Sequence, residues 1–163
     1  MWLRESNQAG SVDPPDTEGF SLAHTKISAE KIAAYRATGY RFGVGADAIT
    51  LRIDETSSAL QSLYVRLAHT RGVFITAFNP QGAAQDAAEN EAAHVRLGRE
   101  LRGLYPIVIE GAGADPTGAW PPEKSYFALG VDLETARVLG RRYLQDAVVW
   151  TGKDVMPKLI LLR

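Results

Sequence analysis

The stretch Phe74-Ile75-Thr76-Ala77-Phe78-Asn79-Pro80 decides how the chain is read. Its apolar run is too short for a helix of ordinary length and has no polar alternation. This predicts a short strand covered on both faces, as central strands of α/β sheets are. Pro80 lacks the N–H a strand ladder needs and disfavours a helical Asn79, so the strand stops there. After a loop, Asp86-Ala87-Ala88-Glu89-Asn90-Glu91 opens a helix whose Leu97, Leu101 and Leu104 form an inward stripe.

Downstream, Pro106 to Ile109 reads as a strand, and Glu110 to Pro122 as a long irregular loop containing Gly111, Gly113, Gly118, Pro116, Pro121 and Pro122. Ser125 to Val131 is predicted as a strand, and Asp132 as the cap of a helix through Leu133, Ala136, Leu139 and Tyr143. Ala147 to Trp150 and Lys158 to Leu162 are predicted as strands, the last at an edge. Upstream, Ser28 caps a helix carrying Ile32 and Tyr35 that closes at Gly39. Tyr40–Val44 and Ala48–Ile53 alternate about Gly45-Ala46-Asp47 as a hairpin. Thr56 or Ser57 then caps a helix with the stripe Leu60, Leu63, Tyr64 and Leu67.

Residues 1–26, with Asp13-Pro14-Pro15-Asp16 and no periodicity, are predicted as a flexible N-terminal arm from which Trp2, Leu3, Phe20 and Leu22 could dock. Residues 27–163 are predicted as a single α/β domain, with α+β as the alternative. Its expected sheet is mixed parallel and antiparallel, with flanking helices.

At 163 residues and 45% hydrophobic, the chain can bury a core without staples. A net charge of -1 gives no general attraction to nucleic acid or anionic membranes, so neither is an expected partner. Without cysteine there is no disulfide, thiolate nucleophile or Cys-ligated metal. No run approaches the roughly 20 apolar residues of a membrane span, and the N-terminus does not read as a secretory signal. A soluble cytoplasmic protein is expected.

If each strand-helix-strand unit joins parallel neighbours, the strands ending at Asn79 and Ile109 finish at one sheet edge. Glu123 and Ser125 then start their strand there, Gln145 precedes the next, and Tyr40 and Arg41 open the hairpin. Ligands of open α/β sheets bind at such an edge. Glu123 is the candidate catalytic base or ligand carboxylate, because a carboxylate entering a buried strand needs a partner; an ion pair with Arg41 is the plain alternative. Asn79, Asn90, Gln145, Trp120, Ser125 and Arg41 are the candidate ligand-binding residues. Each has a structural reading too: Asn79 as a turn, Asn90 as a brace for the Asn79 loop, Trp120 as a loop anchor, Gln145 as a helix stop. His94, on the same inward face, reads as a packed histidine. There is no phosphate-binding loop, Gly-x-Ser-x-Gly elbow or His-Glu-x-x-His pair, and His24, His69 and His94 are too scattered for a metal site. No metal and no cofactor is expected.

Tyr35-Arg36-Ala37-Thr38, Phe74 to Pro80, Asn90-Glu91 with Leu97, Trp120-Pro121-Pro122-Glu123-Lys124-Ser125, and Leu139-Gly140-Arg141-Arg142-Tyr143 with Gln145-Asp146-Ala147 together resemble the bacterial family catalogued as domain of unknown function 3293. The resemblance spans about Ile32 to Trp150. It implies one small bacterial domain and draws attention to Asn79, Asn90, Glu123 and Gln145, but it carries no activity. Two functions are therefore expected in competition. One is a site at the sheet edge that binds or hydrolyses a small molecule, nucleotide-like or anionic. The other is a noncatalytic interaction or regulatory module, in which the arm or the Leu159 to Leu162 edge makes a homodimer.

Overall fold

The structure is a computed structural model that describes residues 25–163. The expected arm, with Trp2, Leu3, Phe20 and Leu22, lies outside the described residues up to His24. At its end the Thr25 hydroxyl donates to the Arg163 carbonyl at 2.6 Å.

Thirteen elements follow, two of them short 3-10 turns. In order they are α1 (Ala29–Ala37), β1 (Gly39–Phe42), β2 (Ile49–Leu51), α2 (Ser58–Leu67), β3 (Gly72–Thr76), α3 (Ala87–Leu104), β4 (Val108–Ala114), β5 (Glu123–Leu129), α4 (Leu133–Arg142), β6 (Ala147–Thr151) and β7 (Lys158–Leu161), with the turns at Gly45–Asp47 and Pro80–Gly82. The local signals hold. The side chains of Ser28, Ser57, Asp86 and Asp132 each accept from the backbone N–H three residues on, satisfying donors that a helix start leaves orphaned.

The sheet order is β2-β1-β4-β5-β3-β6-β7, and every pair is antiparallel. This corrects the expected mixed sheet. β3 and β4 do run in the same direction, but they are not neighbours. β5 returns from the β4 end and pairs with both, Phe127 lying opposite Phe74 on one side and Ile109 on the other. The unbroken apolar run of β3 reflects cover on both faces rather than parallel pairing. Phe74 points into one core with Phe42, Leu51, Leu60 and Phe127. Val73 and Ile75 point into the other, with Leu97, Leu101, Tyr126 and Leu139.

β4 is longer than expected and absorbs Glu110 to Ala114 of the stretch read as loop. Gly111 serves strand packing rather than a turn: a Cβ there would collide with the Arg41 carbonyl and approach the Phe42 Cβ to 2.9 Å. β7 sits at the sheet edge as expected, and Leu161 and Leu162 at its end are buried against the body.

Gly111→Ala is expected to cost about 1–3 kcal/mol, because the obstruction is backbone and cannot rotate away. Gly103, whose added Cβ would meet nothing within 4 Å, is the control: Gly103→Ala should leave stability unchanged or raise it, read from denaturant midpoints.

Candidate functional site

The antiparallel order still brings the expected residues to one edge. β3 and β4 end there, opposite the start of β5, as the registers Thr76 to Ser125 and Gly113 to Glu123 show. β6 and β1 begin there, the latter with Gly39 opposite Ala114.

Beyond β3 the chain turns through Asn79, whose backbone is left-handed at φ 46° and ψ 65°. Asparagine tolerates this region better than most residues. Asn79 N–H donates to Asn90 Oδ1 at 2.9 Å, while Asn90 Nδ2 donates to Asn79 Oδ1 at 3.0 Å. Oδ1 also accepts from Gln85 N–H at 3.1 Å, which leaves Asn79 Nδ2 to donate to Glu123 Oε1 at 2.8 Å. The loop is thereby pinned to α3, and the Glu123 carboxylate is oriented by the loop. Gln81 and Leu144 are also left-handed, at φ 55° and 54°, and meet through Gln81 N–H donating to the Leu144 carbonyl at 2.6 Å. Such backbone strain persists only where its surroundings enforce it, and it clusters at functional sites.

These residues border a cavity of about 350 Å³ between α1 and the sheet edge. Its wall is largely aromatic and aliphatic: Tyr35 from α1, Tyr40 from β1, Phe74 from β3, Phe78, Trp120 and Leu159. Trp120 is 44% exposed and stands at the rim. The polar lining includes Glu123, Thr76, Ser125, Gln145, Lys31 and Asp146. Burial pushes the Glu123 carboxyl above the ordinary carboxylate range, more than the Asn79 bond and the Lys31 charge pull it down. Burial also raises the hydroxyls of Tyr35 and Tyr40, with Asp146 adding to the effect on Tyr35, so both remain neutral.

Asp146 is the second carboxylate of the cavity and differs from the first in kind. Its side chain is 1% exposed and carries Lys31 Nζ at 2.7 Å and Arg163 Nε at 2.5 Å, with the Tyr35 hydroxyl donating at 3.2 Å. Burial pushes it upward, but the bonds from Lys31 and Arg163 outweigh that and hold it below the usual carboxylate range. This network ties α1 and the chain end to the start of β6. Gly82 leaves it room, since a Cβ there would run into Lys31 Nζ.

Of the residues expected from sequence, Asn79, Glu123, Ser125, Gln145 and Trp120 line the cavity. Gln145 spends its amide on the Phe78 and Tyr143 carbonyls, both at 3.1 Å, and the Ser125 hydroxyl donates to the Glu123 carbonyl at 3.0 Å. Two of the expected residues lie away from the cavity wall. Asn90 stands behind Asn79, in the bracing role that was its structural reading. Arg41 alternates with Tyr40 along β1 and is exposed on the opposite face, so it makes no ion pair with Glu123. Lys31, Tyr35, Asp146 and Arg163 were not expected at the site. The one sequence signal was a charged residue, Asp146, directly before an apolar strand.

Among the described residues, a seven-stranded antiparallel sheet flanked by four helices, with a cavity at one edge, defines a mixed α/β protein whose fold alone carries no activity. Residues 75–148 match the family described as Protein of unknown function (DUF3293), which supports membership of that family. The matched segment runs from β3 into β6. It contains Asn79, Asn90, Glu123, Gln145 and Asp146, whereas Lys31, Tyr35, Tyr40 and Arg163 lie outside it. No curated protein and no solved structure matches the chain.

Asp146→Asn leaves Lys31 and Arg163 facing each other without their counter-charge, an expected loss of about 3 kcal/mol. The effect should shrink as pH falls below the ordinary aspartate value, where the wild-type group protonates and loses the same advantage. Thermal denaturation of both proteins across acidic pH checks it. Glu123 has the opposite sign. Its native form holds a proton more tightly than the unfolded chain, so its contribution is full below the ordinary glutamate value and is lost as pH rises through the raised one. Glu123→Gln keeps the Asn79 bond and removes the charge; it should therefore be more stable than wild type at neutral pH and indistinguishable from it in acid.

Proposed function

We propose that the cavity at the sheet edge binds a small molecule that has a planar or apolar body and presents an N–H donor to Glu123. The observation that carries this reading is the contrast between the two carboxylates. Asp146 is neutralised by two cations, as a structural group is. Glu123 is half-buried, receives one hydrogen bond from a neutral amide, and leaves Oε2 without a hydrogen bond among the described residues. An incompletely paired carboxylate in an apolar wall costs stability and is the kind of group retained for a ligand. The cavity lies within the size range of ligand sites, and its few polar groups converge on an otherwise apolar surface.

Between the two ligand chemistries considered from sequence, a nucleobase-like or amide-bearing molecule fits this wall better than an anion. The nearest cation, Lys31, is already committed to Asp146, and an anion would meet Glu123. Tyr35, Tyr40, Phe78 and Trp120 offer aromatic surface to a flat ring. A hydrolytic step would draw on the same carboxylate as its base.

A thermal-shift screen of nucleobases, nucleosides and heterocyclic amides tests the reading. At least one class should raise the Tm of the wild type, and the shift should vanish in Glu123→Ala and fall in Trp120→Ala. No stabilising compound, or a shift that survives Glu123→Ala, would overturn it.

A further inference from the structure

The helices cover the second face of the sheet only in part. α3 lies over β5 and β4, and α4 over β6 and β3. On the same face Arg41 of β1 and its cross-strand neighbour Thr50 of β2 are exposed. Where the flank of α3 meets this bare surface there is a second cleft of about 390 Å³. Glu91, His94, Arg99 and Arg102 of α3 form it with Glu110 of β4 and Lys124 and Tyr126 of β5.

Its chemistry differs from that of the first cavity. Three cations converge on it against two carboxylates. Lys124 is 2.7 Å from Glu91, and Arg102 lies 5.2 Å over the Tyr126 ring while reaching Glu110 only at 3.7 Å. Arg99 makes no ion pair and no hydrogen bond among the described residues. His94 is 6% exposed, stacked on Tyr126 with ring centroids 4.3 Å apart, and its Nδ1 has no hydrogen-bond partner among the described residues. A buried ring nitrogen left unpaired is rare enough to require a reason.

We infer that this cleft is a second binding site, for a compact oxyanion of the phosphate type, held by Arg99 with Arg102 and Lys124 beside the His94 ring. Guanidinium groups match phosphate oxygens in geometry and charge. The competing pairs are weak: all four partners are more than half exposed, and solvent screening leaves exposed pairs of this kind little net attraction. An anion can therefore exchange Glu91 for itself at Lys124, and Glu110 for itself at Arg102, at small cost. His94 reports the event. Burial holds its ring below the ordinary histidine range; of the charges that face it, Glu91 and Glu110 favour protonation while Lys124 and Arg102 oppose it. An added anion tips that balance toward the protonated ring.

The test is a titration of the full chain with inorganic phosphate at constant ionic strength, with chloride as control, following the His94 ring protons by NMR. Saturable shifts and a raised His94 pKa are expected. Both should be lost in Arg99→Glu, an exposed position whose reversal leaves the fold intact, and kept in Glu123→Gln. Glu91→Gln, which frees Lys124, should tighten binding several-fold. Absence of saturation, an equal response to chloride, or an unchanged response in Arg99→Glu would overturn the proposal.

Discussion

Asn79 occupies a backbone conformation that few side chains accept, and four hydrogen bonds keep it there. The constraint works in two directions. Toward α3, the reciprocal exchange with Asn90 fixes where the loop after β3 lies. Toward the sheet, the one remaining donor of the side chain aims the Glu123 carboxylate. An apolar residue at either asparagine would leave buried donors and acceptors orphaned, and the orientation of Glu123 would go with them.

The second organising contact is the Asp146 network, which is electrostatic where the first is amide-based. It closes the cavity from the α1 side by joining Lys31, Arg163 and Tyr35 to one buried carboxylate. Both systems act on the same short turn. Gln81 donates its N–H to Leu144, and its carbonyl accepts from Arg163 at 3.3 Å. The turn is thus anchored through Asn79 at one end and through the Asp146 partners at the other. The cavity between them is braced by hydrogen bonds on each side, with Trp120 exposed at its rim.

Most elements were legible in the sequence because their signals are local. Ser28, Ser57, Asp86 and Asp132 announce helix starts within a few residues, and the leucines of α2 with Leu97 and Leu101 of α3 state which side faces inward; Leu104, expected in the same stripe, is exposed because it ends the helix beyond the sheet cover. Strand order is not local. Nothing in Phe74 to Phe78 distinguishes a strand with parallel neighbours from one flanked by antiparallel partners, since burial on both faces produces the same apolar run. Gly111 reads as loop because close strand approach and a turn both select glycine. The edge that gathers the site was still reached, since it requires only that β3 and β4 run the same way, which the intervening β5 preserves. Lys31 and Arg163 escaped notice for a related reason: their shared partner Asp146 is far from each in sequence, and a lone lysine or arginine carries no sign of such a partner.

The position of β5 also bears on how the molecule comes into being. β3 and β4 are separated by one strand width, and the strand that fills the gap follows both in the chain. Until residues 123–129 are available, the two halves of the sheet share no ladder, and the apolar faces of β3 and β4 are open along their inner edges. The centre of the sheet thus becomes continuous only when β5 joins two strands that precede it, and β6 and β7 then extend the sheet from the β3 side; closure through contacts distant in sequence is the condition under which folding is slow and exposed strand edges invite association.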